Sequence, residues 1–119
     1  TKRTRNRCRL GLPNNTGAGW NVRTQADRGW FYQNFVTELL RSGNCVGWHW
    51  FTYMDNDPQN LKTDPSNRDS NKGVVAWNFG PYTVLLDEMK QLNDCTYRLI
   101  RHLDAEKSEA NRKTTDNHE

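Results

Sequence analysis

The densest chemistry in this 119-residue chain lies in VGWHWFTYMDND, residues 46–57, where an aromatic run gives way to a polar, acidic exit. An indole can lie flat against the C–H face of a sugar ring. His49, Tyr53, Asp55, Asn56 and Asp57 offer groups that hydrogen-bond hydroxyls. The same run also reads as a core strand, because large aromatic side chains are buried on average. Trp48 is expected in the core, whereas Trp50, nearer the polar exit, stays open between core packing and a sugar platform. Trp77, in a loop, is either an apolar plug or a second platform.

The neighbouring acids do not suggest a catalytic pair. Retaining glycosidases hold two carboxyls about 5–5.5 Å apart and inverting ones about 6.5–9.5 Å, on either side of the bond they cut. Asp55 and Asp57 share one loop, and DNDP reads better as a turn. The stretch from Asn67 to Gly73 hints at calcium, but its glycine comes one place late and no Glu closes it. The cysteines, Cys8, Cys45 and Cys95, are odd in number and form no CxxC, which argues against a disulfide framework or a zinc site. Cys45 and Cys95 read as small buried groups. His49, His102 and His118 show no ligand spacing. GAGW at 17–20 matches neither phosphate-binding glycine pattern. No metal and no cofactor is expected.

The elements that must position these residues follow from periodicity. Thr24 with Asp27 three residues on has the form of a capping box. A helix is predicted from there to about Ser42, with Phe31, Phe35 and Leu39 flanked by Tyr32, Val36 and Leu40, and with Gly43 and Asn44 as a stop. Gly29 in its first turns weakens it. Residues 45–53 are short, aromatic and free of Pro, which predicts a strand with apolar groups on both faces. A long, weakly periodic loop follows, within which VVAW predicts a short strand or hairpin arm. Pro81 then opens a second helix, predicted to about residue 104. Residues 105–119 are polar and are expected to be disordered.

Helix, strand, long loop, helix is the grammar of an α/β fold. A single two-sided strand, however, has no sheet to join, and its backbone groups need partners. The chain therefore reads as a piece of a larger α/β protein, or as one that takes its missing strands from another chain. Mean hydropathy of −1.05 and 34% hydrophobic residues agree, being low for a chain that builds its own core. At this length it is at most one domain. No run reaches the roughly 18–20 apolar residues of a membrane helix, so no membrane partner is expected. The N-terminus shows no apolar stretch after its charges, so no secretion signal is expected. Residues 1–10 hold five basic residues and no acid, giving a basic arm on a mildly acidic body. Such an arm could bind phosphates, although a short solvated end is the simpler reading.

The segments TGAGWNVRTQADRGWFYQNF, NCVGWHWFTYMDND, DPSNRDSNKGVV and FGPYTVLLDEMKQLND together resemble the C-terminal end of agarase- and porphyranase-like glycoside hydrolases. The resemblance covers residues 11–104. It implies a retaining (β/α)8-barrel enzyme that cuts red-algal galactans with two glutamates. This chain would be a partial TIM barrel: the seventh helix at 24–42, the eighth strand at 45–53, a long loop, and the eighth helix at 81–104. Both catalytic glutamates would lie outside it, so no catalytic residue is assigned. The implied substrate-lining set is Trp50 with His49, Asp55, Asn56, Trp20, Asn21 and Arg23. The implied partner is a polysaccharide or oligosaccharide, and the parent is expected to be secreted or periplasmic. Residues 3–9 (RTRNRCR) are more basic than that pattern.

Two other classes compete. A carbohydrate-binding module would use Trp48, Trp50 and Trp77, but such modules usually are β-sandwiches. Nucleic-acid binding would rest on the basic arm alone, and its affinity would fall steeply with salt.

Overall fold

A computed structural model describes residues 21–60, 62 and 71–115. The basic arm and Trp20 lie outside the described residues. Two helices carry the structure: α1, Gln25–Ser42, and α2, Thr83–Thr115. Thr24 caps α1 as its spacing predicts. The Thr24 hydroxyl accepts from the Asp27 backbone N–H, and the Asp27 carboxylate accepts from the Thr24 N–H, each at 3.0 Å. Gly43 ends α1 in the left-handed region, with φ at 75° and its N–H returned to the Leu40 carbonyl.

The two helices bury one stripe each. Tyr32, Val36 and Leu40 of α1 meet Leu92 and Leu103 of α2, with Trp48, Trp50, Met89, Leu99 and Ile100 packed around them. A second, smaller cluster joins Ala76, Tyr82 and Leu85, and again Trp50 and Met89 lean on it. The helices cross closely at Gly29, where a Cβ would collide with Cβ of Glu88. Gly29 therefore serves the crossing, whatever it costs in helix propensity. The other half of the expected apolar face of α1 is not core. Phe31 and Phe35 stay exposed and stack on each other, with ring centroids 6.5 Å apart.

The expected α/β fold and the partial barrel are overturned. The described residues hold no strand, only isolated bridges from Val75 to Met54 and to Pro81, and the structure is mostly helical. The reason is the one that made the strand suspect. Backbone of 46–52 makes no backbone–backbone hydrogen bond among the described residues, and an extended segment without a partner is not a strand. It packs on the helix pair through Trp48 and Trp50, both half-buried, while Val46, Phe51 and Tyr53 face outward. The Phe51–Thr52 peptide bond is cis.

The second helix also differs from expectation at its end. It runs to Thr115, beyond the expected stop near 104 and through residues read as disordered. Composition misleads there because helical spacing pairs the charges. Glu109 lies 2.6 Å from Lys113, four residues on.

Candidate functional site

The site is built where the end of the extended segment meets the turn at 71–73. Tyr53 and Asp55 tie the two together: the Tyr53 carbonyl accepts from the N–H of both Val74 and Val75 at 3.0 Å, and the Asp55 N–H donates to Val75 at 2.9 Å. Gly73 is required there by space. A Cβ on it would lie 2.6 Å from the Asp55 nitrogen and 2.7 Å from the Val75 oxygen, both backbone atoms.

Asp55 is 2% exposed and is the buried acid of this region. Its Oδ1 accepts from the backbone N–H of Lys72 at 2.8 Å and of Gly73 at 2.6 Å. Its Oδ2 accepts from the Tyr82 hydroxyl at 2.5 Å. A carboxylate so enclosed is satisfied by protein donors. Its oxygens therefore face protein donors and not solvent.

Arg28, on the first turns of α1, faces the same turn. Its Nη1 donates to Gln25 Oε1 at 2.7 Å and Asn71 Oδ1 at 2.6 Å, and its Nη2 donates to the Gly73 carbonyl at 2.8 Å. The guanidinium stands between two rings, 5.5 Å from the centroid of Trp50 and 5.4 Å from that of Tyr82. Burial lowers its pKa from the usual value, while Asp55 and then Tyr82 push the other way. An arginine so placed still keeps its charge.

Trp50 is held from three directions. Its indole N–H donates to the Lys72 carbonyl at 2.7 Å, Arg28 covers its ring, and Tyr32 meets it edge-on at 5.8 Å. Trp48 has a separate anchor, its indole N–H donating to the Tyr32 hydroxyl at 2.8 Å, which in turn donates to Asn93 at 2.7 Å. Beside both tryptophans runs an open groove of about 510 Å³ lined by residues of α1, α2 and 45–50.

Of the residues proposed from sequence, the structure gathers Trp50 and Asp55 around the 71–73 turn. It places Asn56 half-buried next to Asp55 and leaves His49, Asn21 and Arg23 exposed. Trp20 lies outside the described residues. Asp57 turns the chain, its Oδ1 accepting from the Gln59 N–H at 2.9 Å. Sequence reasoning missed Arg28, Tyr82 and Gly73 as members of this cluster. Arg28 lies four residues before Tyr32, on the buried stripe, and a charge at a core register was the available signal. Among the described residues no three His, Cys, Asp or Glu gather at metal-binding distance.

No protein-family model and no curated protein matches the chain. Among solved structures, BpGH50 is similar, with 41% identity and a TM-score of 0.66 over 78% of this chain. The name places that protein among the glycoside hydrolases. The likeness fits a fragment of a glycoside hydrolase. The matched part is 18% of the length of BpGH50.

Proposed function

We propose that this chain is a substrate-lining portion of a retaining glycoside hydrolase that acts on β-galactan-type polysaccharide, in the manner of an agarase. The observation that carries the reading is the 41% identity to BpGH50 over most of the chain. Its role is to form a wall, with the catalytic carboxylates supplied from outside these residues. In that wall Trp50 is the platform for a sugar ring. His49 and Asn56 reach its hydroxyls, together with Asn21 and Arg23. Asp55 acts from behind them.

The reading has two tests. The purified chain, incubated with agarose oligosaccharides, should release no reducing ends, and clear turnover would overturn it. Titrated with the same oligosaccharides, the chain should show a change in tryptophan fluorescence that cello-oligosaccharides do not produce. Silence towards every β-galactan oligosaccharide would end the galactan assignment.

A further inference from the structure

We infer that Asp55 and Arg28 are positioning residues for Trp50, acting through the backbone of Lys72 and Gly73. The inference rests on the proposed function only for what Trp50 touches, not for how Trp50 is held.

The backbone of these two residues is gripped on both sides. Their N–H groups converge on one carboxylate oxygen of Asp55. Their carbonyls point the other way, Lys72 to the Trp50 indole and Gly73 to Arg28. Arg28 then stacks on Trp50 and on Tyr82, and the Tyr82 hydroxyl returns to Asp55. The contacts form a closed circuit, so a change at the carboxylate reaches the indole through one peptide unit. A buried acid that accepts several hydrogen bonds is costly to disturb.

This arrangement explains why the acid lies next to the platform yet is not part of the surface. It sets the height and tilt of Trp50 against the turn. Stacking on a sugar ring depends on that geometry, so the specificity of the wall is set partly by a residue that the sugar does not touch.

Trp48 provides an internal control, because its indole N–H is anchored on Tyr32 and Asn93 and not on the 71–73 turn. The experiment is hydrogen exchange of the two indole N–H groups, followed by NMR in the full chain and assigned with Trp48→Phe and Trp50→Phe. Asp55→Asn keeps the size of the side chain but removes the charge facing Arg28 and one acceptor. The expected result is about tenfold faster exchange at Trp50, equivalent to about 1.4 kcal/mol, with Trp48 changed less than about twofold. Tyr82→Phe, which removes one donor to Asp55, should give a smaller change of the same pattern. Arg28→Lys should not restore normal protection, since an ammonium cannot span Asn71 and Gly73 as the guanidinium fork does.

Unchanged exchange at Trp50 in Asp55→Asn overturns the inference. So does equal loss of protection at both indoles in Asp55→Asn and in Tyr82→Phe, which would mean that the circuit supports the whole core and not Trp50 in particular. Adding agarose oligosaccharide to the unaltered chain separates the two readings. If no oligosaccharide moves the Trp50 signal while Asp55→Asn still frees it, the galactan assignment fails and the positioning stands.

Discussion

Gly73 shows how one residue type can be fixed by the backbone around it. The atoms that a Cβ would meet belong to the main chain of Asp55, Val75 and Met54, which cannot swing aside as a side-chain tip can. Gly73→Ala should therefore destabilise the chain by about 1–3 kcal/mol, the usual scale of overpacking. The measurement is the shift of the urea midpoint at constant slope, and an unchanged midpoint would show that the turn yields. At this scale the sequence was legible in part. The aromatic–acid junction pointed to Trp50 and Asp55, and both do meet the same turn. The role of Asp55 was not legible, because an Asp beside Asn and Asp in a polar stretch looks solvated. Its burial depends on donors 17 and 18 residues away and on Tyr82, 27 residues away. Arg28 carried a signal, a charge on the buried stripe, but its partners at 71 and 73 were hidden because they are remote in the chain.

The element most readable from sequence is α1, because both its ends carry local chemistry: a capping box at Thr24 and a glycine stop at Gly43. Its face was less readable. Six apolar residues in two adjacent rows cannot show which row will meet α2, and the structure buries the row of Tyr32, Val36 and Leu40. The choice is registered by Gly29, whose missing side chain lets Glu88 approach. Gly29→Ala tests this. In an exposed helix the change would stabilise by about 1 kcal/mol, but here it should destabilise, because the Cβ meets the stem of Glu88 rather than a flexible tip. A rise in the thermal midpoint would show that the crossing is loose. Residues 45–53 read as a strand, and the structure forms none there. Their aromatic composition favours β structure, yet composition carries no information on whether a partner strand exists.

At the scale of the whole molecule the chain leaves much apolar surface uncovered. Val46, Phe51 and Tyr53 on the extended segment, and Trp30 and Phe35 on α1, are each more than half exposed. Patches of this kind mark surfaces that bind something or associate. The chain alone should therefore bind a hydrophobic dye and grow in apparent mass with concentration. Phe51→Glu combined with Tyr53→Glu should reduce both effects with little change in helical circular dichroism. If sedimentation shows the unaltered chain as a stable monomer at high concentration, the exposed side chains are tolerated in water.

Among the described side chains of α2 the last buried one is Leu103, while the helix continues to Thr115. Past Leu103 the side chains up to residue 114 are exposed, with Glu109 and Lys113 paired on the helix surface. An attachment at Arg112, exposed and on the same continuous helix as Leu103, would share the bearing of that helix while leaving its buried stripe untouched. That makes the end of α2 a natural mount for a label or a fused partner that must report on Trp50 without touching it.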